Sequence, residues 1–270
     1  MQLWMRRPLA LVSGGAAGIG AATVRALARD GCDVVILDLA RQEECAREVI
    51  ASLQTGEGTV SFLESDAMDA CAVEAAVERA CAMAGRSAPD IVVGVVGGNP
   101  HKFPRGTIYE ESASEARSTV EMTLWTAHSL LRVCSRKMIA SPDRRSRCFA
   151  FITSVMIHAS RSGAGAYTMA KSALRQLART SAASLGKFMI RVNTIEPGWI
   201  DTPQERLSAS REEMDRYAAK WPLGRMGRAA DVGDAVAFLC SPRASYITGA
   251  ELLVDGGFRA AFDIPSAAKL

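Results

Sequence analysis

Three residues near the middle of the chain have the types and spacing of an acid–base group. Tyr167 and Lys171 lie four apart in a stretch with a helical pattern, so both side chains are expected on one helix face. An ammonium beside a phenol favours the tyrosinate and lowers the tyrosine pKa from about 10, which makes tyrosine a usable general acid or base. Ser154 lies thirteen residues earlier, at the end of a predicted strand. Because Tyr-x-x-x-Lys pairs occur by chance on many helices, this chemistry needs further support.

A glycine-rich turn follows the first apolar run. Residues 13–20 read Ser-Gly-Gly-Ala-Ala-Gly-Ile-Gly. Glycines allow a tight turn, a close approach of the backbone to a pyrophosphate, and packing of the next helix on the sheet. The helix N-terminus offers N–H groups to phosphates. We therefore expect Gly14, Gly18, Ile19 and Gly20 to contact a dinucleotide.

Asp38 is the residue expected to select that dinucleotide. It ends the second apolar run, 18 residues after Gly20, where a carboxylate accepts both hydroxyls of an adenosine ribose. The same charge repels a 2′-phosphate, and the turn has no basic residue to attract one; Arg41 is interpreted as an exposed residue at a helix start. The pattern favours NAD over NADP, with Asp38 and Leu39 as adenosine contacts.

Asp66 follows the third apolar run and is a further candidate contact for the cofactor. Its side chain is expected to hydrogen-bond the adenine edge, with the backbone of Ala67 beside it. In the alternative interpretation Asp66 only caps the next helix, a role that Asp69 fills as well or better.

The pattern of the whole chain predicts a scaffold that brings these residues to one edge. Short continuous apolar runs alternate with helical stretches, which predicts βαβ crossovers and a parallel sheet covered on both faces. The predicted strands are Leu9–Ser13, Val34–Asp38, Val60–Leu63, Ile91–Val96, Cys148–Thr153, Ile190–Ile195 and Glu251–Val254. The predicted helices are Gly18–Asp30, Glu43–Leu53, Ala70–Ala84, Ser112–Ala140, Ala164–Gly186 and Ala230–Cys240. We expect residues 1–270 to form a single doubly wound Rossmann domain of the α/β class, with a seven-stranded sheet and a substrate flap at about 203–221.

Composition excludes several classes of function. With 49% apolar and 23% charged residues, the 270-residue chain has an ordinary globular composition. Near balance of 32 basic and 29 acidic residues, with 6% aromatic ones, indicates no nucleic-acid partner. The longest uncharged run, Pro8–Val24, contains four glycines and is too short to span a membrane. Seven cysteines without a Cys-x-x-Cys favour reduced thiols and a cytoplasmic location, and three scattered histidines indicate no metal site.

Taken together, the motifs resemble those of the short-chain dehydrogenases/reductases over essentially the whole chain. The matching residues are the glycine turn 13–20, Asp38, Asp66, Ser154, Tyr167-Thr-Met-Ala-Lys171, Arg191-Val-Asn-Thr-Ile-Glu-Pro-Gly198 with Thr202, Pro222-Leu-Gly-Arg225, and 246–257 from Tyr-Ile-Thr-Gly to Val-Asp-Gly-Gly. Seven motifs in the right order and spacing make this resemblance highly specific.

The resemblance implies an oxidoreductase that transfers a hydride between a nicotinamide cofactor and a secondary alcohol or ketone. Tyr167 would exchange a proton with the substrate oxygen, Ser154 would hold that oxygen, and Lys171 would bind the nicotinamide ribose. The residues implied at the nicotinamide amide are Pro197, Gly198, Ile200 and Thr202, and Thr202 would also lie near the phosphates. The protein positions the cofactor and supplies the proton path.

Two stretches depart from the family pattern. Residues 94–97 read Gly-Val-Val-Gly where the family has Asn-Asn-Ala-Gly, so Gly94 and Val95 leave the bracing of the central sheet to other groups, and Gly97 alone remains as a backbone contact to the cofactor. Thr123 stands where the family has an asparagine that holds a water of the proton relay. Its hydroxyl either holds that water or bonds back to its own helix.

The sequence favours an NAD-dependent alcohol dehydrogenase or ketone reductase over three other functions. An NADPH-dependent 3-oxoacyl carrier-protein reductase shares most motifs, but Asp38 and the uncharged glycine turn argue against it. An enoyl reductase would place a lysine seven residues after the tyrosine, where this chain has Leu174. A non-catalytic dinucleotide-sensing protein is the remaining alternative, and the retained Ser154, Tyr167 and Lys171 argue against it.

The substrate and the assembly are less constrained by the sequence. The expected pocket residues are Asn99–Arg105, Met156–Arg161, Trp199 and the flap, and they favour a small or medium alcohol or carbonyl compound that is apolar or cyclic. His101 and His158 lie among them and are interpreted as surface residues. The helices Ser112–Ala140 and Ala164–Gly186 are rich in apolar and small residues, and the resemblance implies that they pair in a homotetramer; the alternative is a homodimer.

Overall fold

Continuous runs of buried apolar residues form the strands, as expected for a sheet covered on both faces. The computed structural model describes residues 6–98, 109–143, 145–159, 163–207 and 209–262. Seven parallel strands form one sheet. These strands are Leu9–Ser13 (β1), Asp33–Asp38 (β2), Val60–Glu64 (β3), Ile91–Gly94 (β4), Arg147–Ile152 (β5), Ile190–Pro197 (β6) and Glu251–Val254 (β9). Their order across the sheet is β3-β2-β1-β4-β5-β6-β9. The predicted seven-stranded parallel sheet is confirmed.

Helices lie on both faces of this sheet. They are Gly18–Arg29 (α1), Glu43–Ala51 (α2), Ala70–Met83 (α3), Ala113–Val120 (α4), Thr126–Ala140 (α5), Gly165–Leu185 (α6), Pro203–Arg206 (α7), Arg211–Ala218 (α8), Ala229–Cys240 (α9) and Phe258–Phe262 (α10). Alternate strand residues point to opposite faces, so Val12 packs in the core under α1 and α9, whereas Leu11 packs in the core under α3, α5 and α6. This is the doubly wound arrangement that the sequence predicts.

The strand order reverses between β1 and β4, and this reversal positions the site. β1 pairs with β2 on one side and with β4 on the other. The connections that leave the carboxyl ends of these strands therefore diverge and open a crevice, which is where open α/β sheets bind ligands.

Several predicted boundaries are wrong by one or two residues, and two features were not predicted. β4 ends at Gly94 instead of Val96, and β6 continues to Pro197 instead of ending at Ile195. The predicted helix 112–140 is divided by a π-helical turn over Glu121–Trp125. The short strands Ile200–Asp201 (β7) and Gly227–Arg228 (β8) form a separate parallel pair.

The departure at residue 94 is explained by packing in the middle of the sheet. Gly94 pairs with Phe151 of β5, and a Cβ atom on Gly94 would lie 2.6 Å from Cδ1 of the Phe151 ring. Phe151 is fully buried and stacks on Phe149, with the ring centroids 6.0 Å apart. An aromatic ring therefore fills the space beside Gly94, in agreement with the expectation that other groups brace the sheet there.

Candidate active site

The glycine turn places an unoccluded helix N-terminus at the crevice. The N-cap residue of α1, Ala17, makes no side-chain cap, and the first turn of α1 has no acidic residue. Gly14 has a φ of +75°, and a Cβ on Gly20 would lie 1.9 Å from the Gly14 carbonyl oxygen. Only glycine allows this approach of the helix to the strand end. The exposed N–H groups and the positive end of the helix dipole fit a pyrophosphate.

Asp38 lies against this turn. Its Oδ2 accepts a hydrogen bond from Ala16 N–H at 3.1 Å, and its Oδ1 accepts one from Leu39 N–H at 2.9 Å. These two bonds fix the carboxylate at the end of β2 beside the turn, where a ribose of a dinucleotide bound at α1 would lie. Arg41 is exposed, as predicted.

The structure separates the roles of Asp66 and Asp69. Asp69 is the N-cap of α3 and accepts hydrogen bonds from Cys71 and Ala72 N–H. Asp66 accepts one from Met68 N–H at 2.9 Å and is otherwise exposed, with Ala67 half-buried next to it. Because Asp69 caps the helix, the carboxylate of Asp66 remains a candidate for the adenine edge.

The three residues that could transfer a proton are brought together. Ser154 lies two residues beyond the end of β5, where it caps a short 3-10 turn and accepts a hydrogen bond from Met156 N–H at 3.2 Å. Tyr167 lies on α6 with its side chain close enough to that of Ser154 for the serine to counteract a rise in the tyrosine pKa. Lys171, one turn further along α6, has its Nζ 5.7 Å from the centroid of the Tyr167 ring and donates to the Ile152 carbonyl at 2.8 Å.

The electrostatics of this group differ from the expectation. Burial raises the pKa of Tyr167, and the hydrogen bond to Ser154 opposes that shift. Burial lowers the pKa of Lys171 to about 8. The predicted lowering of the tyrosine pKa is therefore wrong for this arrangement, because desolvation outweighs a lysine that is held at the Ile152 carbonyl instead of at the phenol oxygen.

Gly97 lies next to both Lys171 and Thr123. Thr123 is fully buried within the π-helical turn, and its Oγ1 accepts a hydrogen bond from Gly98 N–H at 3.1 Å. A Cβ on Gly97 would lie 3.1 Å from Lys171 Nζ and 3.3 Å from Thr123 Cγ2. The hydroxyl of Thr123 thus supports the loop after β4 and does not bond back to its own helix. π-helical turns are common at functional sites.

The predicted nicotinamide loop lies between β6 and β7. Pro197 is buried at the end of β6, and the Gly198 N–H donates to Val254 O at 3.0 Å. Ile200 is buried in β7, while Thr202 caps α7 and its side chain lies 3.4 Å from where a Cβ on Gly18 would be. Thr202 and the glycine turn therefore meet, as the resemblance implies.

Aromatic residues hold the predicted flap against this loop. Trp199 lies 5.9 Å from both Tyr217 and Trp221, and Trp221 lies 5.6 Å from Phe258, measured between ring centroids. We call these four residues the aromatic cluster. The indole N–H of Trp199 donates to Glu205 Oε2 at 2.6 Å, and the charge of Glu205 contributes to raising the pKa of Tyr167. The flap thus lies within electrostatic range of the tyrosine.

The predicted pocket lies only partly within the described residues. Residues 99–105, which include His101, and residues 160–161 lie outside the described residues. The interpretation of His158 as a surface residue is wrong: its side chain is 14% exposed and its Nε2 lies 2.6 Å from Oε2 of the fully buried Glu196. Sequence reasoning missed Glu196, and the available signal was a carboxylate inside the apolar run of β6.

Comparison with known proteins places this site in a family. The family model described as Enoyl-(Acyl carrier protein) reductase matches residues 14–259. Cis-4-hydroxycyclohexanecarboxylate dehydrogenase of Sinomonas cyclohexanicum is 32% identical over 252 residues, which cover 93% of this chain and 96% of that protein. The chain belongs to the short-chain dehydrogenase/reductase family. As a short-chain dehydrogenase/reductase, it is an oxidoreductase of secondary alcohols and binds a nicotinamide dinucleotide.

Solved structures of other proteins have the same fold. A 7α-hydroxysteroid dehydrogenase complexed with NADH and 7-oxo glycochenodeoxycholic acid has a TM-score of 0.84 at 26% identity, with 95% of this chain and 96% of that chain covered. A blue fluorescent protein from a metagenomic library, in complex with NADPH, has a TM-score of 0.82 at 30% identity, with 96% and 99% covered.

The described part of the chain lacks two further kinds of feature. Within it, no helix is both long and apolar enough to cross a membrane. The same residues contain no group of three or more His, Cys, Asp or Glu side chains that could hold a metal ion.

Proposed function

We propose that this protein is an NAD(H)-dependent dehydrogenase or reductase for a secondary alcohol or ketone on a small or medium, cyclic or apolar substrate. The observation that carries the proposal is the grouping of Ser154, just beyond the end of β5, with Tyr167 and Lys171 on one face of α6, where Lys171 Nζ lies 5.7 Å from the Tyr167 ring centroid. A cyclic substrate is supported by similarity to the hydroxycyclohexanecarboxylate and 7α-hydroxysteroid dehydrogenases and by the aromatic cluster at the flap.

The proposed roles follow from the contacts of each residue. Tyr167 gives a proton to the substrate oxygen in reduction and removes it in oxidation, while Ser154 holds the same oxygen through its hydroxyl. Lys171 is kept in place by the Ile152 carbonyl, from where its ammonium group binds the nicotinamide ribose. The bound dinucleotide supplies or accepts the hydride. Gly97 leaves room for Lys171, and Thr123 supports the adjoining loop.

The preference for NAD over NADP is proposed from Asp38. Its carboxylate is fixed by Ala16 and Leu39 N–H at the ribose position, where it would accept hydroxyl hydrogens and repel a 2′-phosphate. The other proposed contacts are Gly14, Gly18, Ile19 and Gly20 at the phosphates, Asp66 and Ala67 at the adenine, Gly97 by its backbone, and Pro197, Gly198, Ile200 and Thr202 at the nicotinamide end.

The assembly and location are proposed on separate grounds. A homotetramer is supported by Trp125 and Met169, whose side chains are 54% and 56% exposed. They lie on the two helical stretches that pair between subunits in the family. A homodimer is the alternative. All seven cysteines are free thiols, which suits a cytoplasmic protein.

Turnover of a panel of cyclic and acyclic alcohols and ketones with each cofactor tests the proposal. We expect activity on secondary alcohols, and we expect Tyr167→Phe to lower kcat by about 10²–10⁴ because the ring packing stays while the proton donor is lost. Cofactor binding, measured by calorimetry, should largely persist in the variant. Near-normal turnover by Tyr167→Phe would show that another group transfers the proton.

A further inference from the structure

His158 and Glu196 form a buried pair beside the catalytic serine, and the proposed reaction does not use it. His158 Nε2 lies 2.6 Å from Glu196 Oε2. Glu196 lies in β6, one residue before Pro197. His158 ends the short helical turn that begins at Ser154, and its N–H donates to the Val155 carbonyl at 2.9 Å. The pair therefore links the segment of the serine to the strand that leads into the nicotinamide loop.

Burial makes the side chain of Glu196 depend on His158. Glu196 is fully buried, and its Oε1 has no hydrogen-bond partner among the described residues. Within those residues, His158 is the basic group at ion-pair distance from the carboxyl group. A buried acidic side chain without such a partner is strongly unfavourable, so the contact holds both side chains in place.

Nδ1 of His158 is the ring nitrogen that the contact with Glu196 leaves available. A histidine nitrogen that carries hydrogen is a hydrogen-bond donor. Nδ1 has no partner among the described residues, and the side chain keeps 14% of its surface exposed. An N–H donor is thus available one helical turn from Ser154.

We propose that His158 Nδ1 donates a hydrogen bond to a carboxylate that the substrate carries away from its reacting oxygen, and that Glu196 is the positioning residue for His158. This inference rests on the proposed function. Ser154 and Tyr167 hold the reacting oxygen, so His158, further along the same segment, meets another part of the substrate. A carboxylate is the acceptor that such a donor binds most strongly, because a hydrogen bond to an ionised acceptor is about twice as strong as one between neutral groups.

The test compares two ketones that differ at one end, 4-oxocyclohexanecarboxylate and 4-methylcyclohexanone, with NADH as reductant. His158→Gln keeps an amide donor for Glu196 and removes the ring. We expect its KM for the acid to rise about tenfold or more, with kcat/KM for the methyl ketone within about twofold of wild type. His128→Gln is the matched control, because the ring of His128 packs on the exposed Trp125 and the variant should leave the ratio unchanged.

Glu196→Gln tests the positioning role. We expect it to lower the preference for the acid in the wild-type background and to have no further effect in His158→Gln, which a merely structural role would not produce. An unchanged ratio of the two ketones in folded His158→Gln, or in His158→Asn if the first variant does not fold, would overturn the inference while turnover of the methyl ketone still supports the proposed function. Absence of wild-type turnover of all secondary alcohols and ketones would overturn both.

Discussion

At the scale of single residues, the proposed preference for NAD over NADP depends on Asp38. In Asp38→Asn the side chain keeps its shape and loses the charge that repels a 2′-phosphate. We expect the wild type to prefer NADH by about 30-fold or more in kcat/KM and the variant to lose most of that preference, since a charged or bidentate contact contributes about 2–3 kcal/mol. Steady-state kinetics with both cofactors measure this. Asp66→Asn is the matched control and should weaken both cofactors alike; a wild type that uses NADPH equally well contradicts the prediction.

The buried Lys171 makes the stability of the fold depend on pH. Its pKa is about 8 in the folded chain, against an ordinary value of 10.5. Between these values the unfolded lysine holds a proton that the folded one has lost, so the free energy of unfolding rises with pH, by about 3 kcal/mol at most. In Lys171→Met this contribution should be absent.

Urea denaturation of the cofactor-free protein between pH 7.5 and about 10.5 measures this difference. The matched control is Lys187→Met, which also removes one positive charge but at an exposed position. Parallel stability curves for wild type and Lys171→Met would show that Lys171 keeps its proton throughout this range.

At the scale of secondary-structure elements, Gly94 shows how a departure from the family pattern is accommodated. In Gly94→Asn, the family residue would overlap the Phe151 ring, because even a Cβ lies 2.6 Å from Cδ1. We expect a loss of about 1–3 kcal/mol in the free energy of unfolding. Gly94→Asn combined with Phe151→Leu should recover part of it.

Chemical denaturation of these variants measures the effect. Gly186→Ala is the control, because nothing lies within 4 Å of a Cβ there. If Gly94→Asn is as stable as the wild type, the Phe151 ring moves aside at little cost. Phe151 would then not take over the bracing of the sheet that asparagine provides in the family.

Most of the strands and helices, the glycine turn and the position of Asp38 at the end of β2 could be predicted because they follow from local patterns. The π-helical turn at Glu121–Trp125 could not, because its sequence has no glycine, proline or other local signal, and the turn arises where Thr123 supports Gly98. The pair of His158 with Glu196 joins residues 38 apart. His158 follows β5 and Glu196 lies in β6, so the pair can form only because these two strands are neighbours in the sheet.

At the scale of the whole molecule, the proposed homotetramer would cover exposed helical surfaces with a neighbouring subunit. We expect light scattering behind a sizing column to give about four times the 28.8 kDa subunit mass. Trp125→Glu places a charge on the helical face and should reduce that mass. Met83→Glu, at a similarly exposed position on α3, should not. A wild-type mass near two subunits would indicate a homodimer formed through these helices alone. A mass near one subunit would contradict both the homotetramer and the homodimer.

The aromatic cluster also has an optical consequence. Trp199 and Trp221, half of the four tryptophans in the chain, are in contact with each other at the flap and with Tyr217 and Phe258. Light absorbed by these rings is therefore emitted from one place, next to the loop proposed to hold the nicotinamide. Reduced nicotinamide absorbs in the region where indole emits, so a bound coenzyme should quench this fluorescence by energy transfer. The intrinsic tryptophan fluorescence of the unmodified protein should therefore report coenzyme binding without an added dye.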